Sequence, residues 1–368
     1  MHLILFFTRG MSLKIWDDIG MFDREVALYE KLRDKNISIS FVTYGNIYDL
    51  DYGKRLNGIE ILCNHWNFPD WMYEKFLHRF HSKALKPCDL IKTNQMNGAD
   101  VALRSAIHWG KPLICRMGYM WSEFVNYENG VATKILKVEN KLFNSADRIT
   151  VTTDEMNNNI SDRIPNSKDK TLVIPNYVKT SGFKPNPEIK KEFDILFVGR
   201  LVPQKNIKAL FIALHEIDAK TMIIGSGELK RELQLEFDDS SEKICWQSNV
   251  SNNELPLFMN RSSIFILPSL YEGHPKTLIE AMACGMPVIG ANSPGIREII
   301  NHGINGYLCG TDPESIKSSI EELLSNPSLC ESLGKNAREY AVKYFSLDRI
   351  VEMEYDLYKT VLDERKKH

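Results

Sequence analysis

Short apolar runs alternate with helix-length amphipathic stretches along this chain, and that alternation is its strongest constraint. LILFF, beginning at Leu3, precedes a helical stretch near Phe22–Lys35, and ISISFVTYG then reads as a strand. DLIKTN, a helical stretch near Asp100–Trp109, PLICRM, DRITVTT and TLVIPN follow. Strands separated by helices pair in parallel, with the helices covering the sheet. The pattern breaks near Thr180, where KTSGFKPNPEIKKEFD is polar and carries Gly182, Pro185 and Pro187, the composition of an interdomain linker. It then restarts through FDILFVG, TMIIG, KICW, SIFILP and MPVIG, again with helical stretches between the runs. The expected architecture is α/β: two Rossmann-like, doubly wound parallel-sheet domains over 1–182 and 183–345. A closing helix over 346–368 is expected from the spacing of Ile350, Val351, Tyr355, Leu357, Tyr358, Val361 and Leu362. At 368 residues and 43% hydrophobic, the chain can fill two cores. Two such sheets facing a cleft put the carboxyl ends of strands on its rim, where ligands of open α/β sheets bind.

Composition excludes several classes. The formal net charge of -2 gives no global basic bias toward nucleic acid. The apolar run Leu3–Phe7 is too short for a signal peptide, is followed by Arg9, and reads as a first strand. No apolar run is long enough to span a bilayer. The expectation is a cytoplasmic protein, attached to the inner face of the membrane, if at all, by its surface. Cys63, Cys88, Cys115, Cys245, Cys284, Cys309 and Cys330 are scattered, with no C-x-x-C pair, so neither a disulfide frame nor a zinc site is expected. Asp49-Leu50-Asp51 matches a short D-x-D metal pattern, but a polar loop suits three residues better. His78 and His81 have no evident third ligand. No metal is therefore expected. No G-x-G-x-x-G follows the first strand, which counts against a dehydrogenase.

The stretch SIFILPSLYEGHPKTLIEAMACGMPVIG holds the most chemistry. An apolar strand, Ile264–Leu267, ends at Pro268, and a short loop carries Glu272 and Gly273. Pro275 sits where a helix would start, and Gly285 where it would stop. The backbone N–H groups of that helix start, near Lys276 and Thr277, form an anion site, and Gly273 lets backbone approach a ligand closely. Glu272 and Glu280 would both project toward the same crevice. Carboxylates beside phosphate repel it unless they accept hydrogen bonds from hydroxyls, which a nucleotide sugar supplies on both ribose and hexose. The bland alternative is one exposed loop Glu and one helix Glu. In FDILFVGRLVPQKN the strand ends at Gly199, and Arg200 and Lys205 follow in the turn. Two cations there would clamp a diphosphate and oppose charge on a leaving group; taken singly, they are ordinary solvated charges.

A further stretch, WNFPDWMYEKFLHRFHSKALK, places Met72, Phe76, Phe80 and Ala84 at i, i+4, with Lys75, Arg79, Lys83 and Lys86 toward another face. The plainer reading is a helix covering the first sheet; the alternative is a basic amphipathic helix against anionic lipid.

From Ile195 to Leu308 the chain resembles the donor-binding domain of family 4 glycosyltransferases, the large retaining GT-B group. The resemblance rests on the E-x7-E pair Glu272 and Glu280, the GRL…KN turn, IIGSGELK, EAMACGMPVI and GIREIINHGINGYL, in order. It implies that Arg200 and Lys205 bind a donor diphosphate, that Glu280 holds the ribose, and that Glu272 contacts the transferred sugar. It further implies that N–H groups near Lys276 and Thr277 meet phosphate, that the base lies against the segment around Val250, and that the last helix crosses back onto the first domain. The first half is similar to the family's glycine loop more faintly: where two glycines are usual, this chain has Ile19 and Gly20. Where a histidine often stands near the reaction centre, PLICRMGYMW offers Arg116. The implied activity is retaining, metal-independent transfer of a hexose from a nucleotide diphosphate sugar, UDP- before GDP-. The acceptor would be a glycan, a lipid-linked molecule or a small molecule, in polysaccharide or glycoconjugate synthesis. No cofactor is expected, since the donor is a substrate. Alternatives are a nucleotide-sugar epimerase on a similar fold and a non-catalytic sugar-nucleotide-binding subunit.

Overall fold

The computed structural model describes residues 1–124, 131–237 and 243–367. The chain forms two compact units, Met1–Pro175 with Ile350–His368, and Asn176–Arg349.

The first unit is built on seven strands: β1 His2–Phe6, β2 Ser38–Val42, β3 Glu60–Leu62, β4 Leu90–Thr93, β5 Leu113–Met117, β6 Arg148–Val151 and β7 Thr171–Val173. Their order is β3-β2-β1-β4-β5-β6-β7, every neighbouring pair parallel. Leu3, Ile4, Leu5 and Phe6 of β1 are all inaccessible, as helices on both faces require. On one face Ile4, Phe6, Ile91, Cys115 and Ile149 share a core with Tyr73, Leu77, Leu103 and Phe143 from the covering helices. The helix in the Trp-rich stretch runs Asp70–Phe80, and its buried row is Tyr73, Leu77 and His78; Met72, Phe76 and Phe80 are only half-buried. His81 Nε2 pairs with the Tyr73 hydroxyl at 2.9 Å, and burial lowers its pKa to about 4. Asp49 is likewise structural. Its carboxylate accepts from the N–H groups of Leu13 (3.2 Å) and Lys14 (3.3 Å) and from the Thr43 hydroxyl (2.6 Å), which ties the helix Leu13–Asp18 to the segment after β2.

The other face of this sheet holds a charge. Lys92, in register with Leu5 on β1 and Ile114 on β5, is fully buried. Its ammonium pairs with Glu354 and donates to the Tyr358 hydroxyl at 3.2 Å. Both partners come from the helix Leu347–Lys367, whose residues from Ile350 onward belong to this unit. Burial lowers the Lys92 pKa while Glu354 raises it, and burial holds the Tyr358 phenol well above its ordinary value. Lys35–Glu352 and Arg365–Asp147 ion pairs fasten the same helix at its margins.

The second unit has six strands: β8 Phe193–Val198, β9 Thr221–Ile224, β10 Ile244–Gln247, β11 Ser262–Leu267, β12 Val288–Ala291 and β13 Tyr307–Cys309. They run β10-β9-β8-β11-β12-β13, again all parallel. The polar stretch after Thr180 packs on this unit. Phe183 enters its core, and Arg338 donates to the carbonyls of Phe183, Ala283 and Thr180. In both sheets the strand order reverses once, between β1 and β4 and between β8 and β11. That reversal opens a crevice at the carboxyl edge.

Removing one partner of a buried ion pair strands the other charge. Lys92→Met should therefore lower the stability of the first unit by about 3–5 kcal/mol, and the double variant Lys92→Met with Glu354→Leu by much less. Urea unfolding of both proteins checks this; a double variant as unstable as the single would contradict it.

Candidate active site at the carboxyl edge of the second sheet

The site is assembled where β8 and β11 lie side by side. After β8 the chain passes Gly199 and exposed Arg200 into a single 3-10 turn, Pro203–Lys205, then Asn206. Asn206 takes a left-handed backbone (φ 53°), and its side chain donates to the Thr311 carbonyl at 2.7 Å. After β11, Pro268 leads into the loop that carries Glu272 and Gly273.

Gln204 joins the two loops. Its side-chain amide donates to the Tyr271 carbonyl at 2.9 Å, while its backbone carbonyl accepts from the Leu270 N–H at 2.9 Å. Arg200 reaches the Gln204 side chain at 3.4 Å. The Lys205 ammonium forms an ion pair with the Glu272 carboxylate, both side chains largely buried. Arg200, Lys205 and Glu272 therefore sit together, with one cation fixed by the carboxylate and the other presented to solvent.

Close backbone packing holds these loops. Glu272 N–H donates to the Pro294 carbonyl at 3.0 Å, and the Ser293 hydroxyl to the Ser269 carbonyl at 2.7 Å. Gly295 has φ +77°, and a side chain there would put a Cβ 2.4 Å from the Glu272 carbonyl oxygen and 2.5 Å from that of Gly273. Only glycine meets both demands. Gly225, in the loop after β9, does the same for the first loop: a Cβ would lie 1.9 Å from the Gly199 oxygen.

The helix Lys276–Ala283 starts immediately after Pro275, which makes no side-chain cap. Its first-turn N–H groups, those of Lys276 and Thr277 among them, lie at the dipole's positive end, where anions are stabilised. One turn on, the helix carries Glu280, almost completely buried, whose Oε1 accepts from the Asn252 amide at 2.8 Å. Asn252 is two residues from Val250, so the segment around Val250 approaches Glu280 through it. Cys284 ends the helix, and Gly285 (φ +72°) follows in the left-handed region.

The structure thus gathers Gly199, Arg200, Lys205, Glu272, Gly273, Lys276, Thr277, Glu280 and Val250 in one unit. Gly20 and Arg116 belong to the other. Gly20 (φ +72°) follows the helix Leu13–Asp18. Arg116 is on β5, with its guanidinium donating to the Asn94 carbonyl at 3.2 Å. Gln204, Asn252 and Gly295 are positioning residues that the sequence did not single out. The motifs GRLVPQKN and NVSNNEL contain the first two, but neither residue type announces a partner some thirty to seventy positions away. The cysteines offer no thiolate at this edge: burial pushes Cys284 and Cys309 up to about 12. Among the described residues, no group of three or more His, Cys, Asp or Glu side chains could hold a metal ion.

Residues 178–340 match the family described as glycosyl transferases group 1. Over 348 residues, 90% of this chain and 92% of its relative, the chain is 26% identical to an uncharacterized glycosyltransferase of Methanocaldococcus jannaschii. A sucrose-phosphate synthase from Thermosynechococcus elongatus has a similar fold, with a TM-score of 0.81 at 18% identity, covering 99% of this chain and 100% of that one. Anabaena HepE, solved in complex with UDP-glucose, gives 0.76 at 17% identity, covering 97% and 99%. The likeness shows a fold of two parallel-sheet domains of GT-B type, with the glycosyl transferases group 1 match confined to the second half of the chain.

Asn252→Ala removes a donor from a buried carboxylate. The second unit should lose about 1–3 kcal/mol of stability, as read by denaturant unfolding. An unchanged midpoint would show that the Asn252–Glu280 bond contributes nothing.

Proposed function

We propose that this chain is a retaining hexosyltransferase of family 4 that acts in the cytoplasm on a UDP-sugar, in preference to a GDP-sugar. Its acceptor is a glycan, a lipid-linked molecule or a small molecule in cell-surface polysaccharide or glycoconjugate synthesis. The observation that carries this reading is the union of two loops at one sheet edge: Gln204 bonded to Tyr271, and Lys205 paired with Glu272. Cations, a carboxylate and a helix N-terminus then converge where a sugar diphosphate can lie. HepE, of similar fold, binds UDP-glucose, which supports UDP as the base-bearing half.

In this mechanism Arg200 and Lys205 bind the diphosphate and oppose the negative charge that grows on it as the anomeric C–O bond breaks. N–H groups of Lys276 and Thr277 add to that stabilisation, and Gly199 and Gly273 allow the close approach. Glu280, oriented by Asn252, accepts from ribose hydroxyls, with the base against Val250. Glu272 holds Lys205 and accepts from hydroxyls of the transferred sugar. The acceptor oxygen forms its bond to the anomeric carbon on the face the phosphate leaves. A leaving phosphate oxygen takes the acceptor proton, so the configuration is retained and no protein nucleophile is used. Arg116 is the candidate on the acceptor side. The cations and the helix dipole do the work that a divalent ion does elsewhere.

Incubation of the purified protein with labelled UDP- and GDP-sugars and an acceptor extract tests the activity, and NMR of the product linkage tests retention. An inverted anomer would overturn the mechanism, and hydrolysis-free inertness toward all donors would overturn the enzyme. Turnover should survive EDTA; loss restored by manganese would refute metal independence.

Two substitution pairs test the roles. Arg200→Ala and Lys205→Ala should each lower turnover about a hundredfold or more, the equivalent of about 2.7–4 kcal/mol of transition-state stabilisation. Glu272→Gln should depress kcat more than it changes KM, because its contacts strengthen as the anomeric carbon becomes positive. Glu280→Gln should mainly raise the donor KM, because ribose contacts are equal in ground and transition states. Steady-state kinetics with a defined donor decides, and the reverse pattern would refute the division.

A further inference from the structure

The helices that cover one face of the first sheet carry their charge unevenly. Helix Asp70–Phe80 exposes Lys75 and Arg79, helix Ala99–Trp109 exposes Arg104, and helix Val131–Ser145 exposes Lys134, Lys137 and Lys141. The last three recur at i, i+3 and i+7, one row along a helix. The acids of these helices are mostly engaged elsewhere. Glu139 is buried against Ser122 and Arg163, Glu74 and Asp100 pair with Arg9, and Asp100 also pairs more loosely with Arg104 at 3.8 Å. Asp70, at the start of its helix, is the remaining one. The whole chain has a formal net charge of -2, so this concentration of cations is local.

Large apolar side chains stand among the cations. Trp71 is 64% exposed and Ile107 is 70% exposed. Lys75 and Arg79 lie over the Phe76 ring, at 5.4 and 5.9 Å from its centre. Between the second and third helices lies a cleft of about 520 Å³. Leu103, Ile107, Val138 and Leu142 line it, with Arg104 and Lys141 in its walls beside Asp100, whose carboxylate is held by Arg9.

Cations interleaved with a solvent-facing Trp and Ile match the interface of an anionic bilayer. There, indole and aliphatic groups enter the headgroup boundary while ammonium and guanidinium groups meet phosphate. A nucleic acid would satisfy the cations and leave Ile107 and the apolar cleft uncovered. We propose that this face of the first unit docks on a membrane surface bearing anionic lipid. No helix among the described residues is long and apolar enough to cross a membrane, so the docking is peripheral. The proposal is independent of the donor chemistry, since none of these side chains belongs to the site on the second sheet.

Co-sedimentation of the full chain, without donor, tests it. The probes are vesicles of phosphatidylcholine alone and vesicles with one third phosphatidylglycerol, each at low and high salt. The protein should partition onto the anionic vesicles, less at high salt, and not onto the neutral ones. Each neutralised cation should lower the partition coefficient about fivefold, so Lys75→Gln, Arg79→Gln, Lys137→Gln and Lys141→Gln combined should abolish pelleting. Lys359→Gln with Lys366→Gln, on the C-terminal helix, should leave it unchanged. Trp71→Ala alone should reduce it severalfold, which keeps the test valid if the fourfold variant fails to fold. Failure of the native protein to bind anionic vesicles at low salt would overturn the proposal. So would native-like binding by the Trp71→Ala variant, or retardation of a nucleic-acid duplex by protein that ignores vesicles.

Discussion

Parallel pairing of every strand in both sheets governs the rest of this molecule. A parallel neighbour can be reached only by carrying the chain back across a face of the sheet, so each strand is followed by a crossover and all carboxyl ends share one edge. In the second unit, the loops after β8, β9, β11 and β12 are brought together by this rule. Their fine spacing then depends on backbone contacts that tolerate no side chain, Gly225 against Gly199 and Gly295 against Glu272 and Gly273. Both glycines serve to bring loops into register, and the chemistry-bearing residues are their neighbours.

Two lysine–glutamate pairs show how burial changes the meaning of the same interaction. Lys92 and Glu354 are inaccessible, and the cost of desolvating them is offset only by each other and by Tyr358. That pair specifies where the C-terminal helix must lie on the first unit, since any other placement would strand a charge. Lys205 and Glu272 also pair closely, but at the mouth of a sheet-edge crevice and beside Arg200. There the carboxylate orients a cation toward a place that phosphate can share.

Legibility followed sequence separation. The helix Lys276–Ala283 was readable from Pro275 at its start and Gly285 at its end, because capping is local chemistry. The strands were readable as apolar runs for the same reason, though β3, whose first residue is Glu60, and β13, which begins inside the stretch GIREIINHGINGYL, were not picked out as runs of their own. The stretch after Thr180 read as a linker from its prolines and charges. Phe183 in the core and the carbonyls held by Arg338 instead make it part of the second unit's packing. The helix Asp70–Phe80 was recognised, but its buried row is Tyr73 and Leu77; an i, i+4 pattern of aromatics cannot tell which of two adjacent rows faces a sheet. Asp49-Leu50-Asp51 resembled a metal pattern, whereas Asp49 is committed to Leu13, Lys14 and Thr43.

By itself, then, the sequence determined what is encoded by near neighbours: alternating strands and helices, two units, a helix N-terminus after Pro275, and the presence of Arg200, Lys205, Glu272 and Glu280 in motifs of suitable type. Only the tertiary structure decided which of these meet. Gln204 reaches Tyr271, Asn252 reaches Glu280, and Lys92 reaches Glu354. Each of these contacts joins residues tens to hundreds of positions apart, through sheet order and crossover geometry. Periodicity and capping report only on the few residues around them, so such pairings become visible only when the chain has closed on itself.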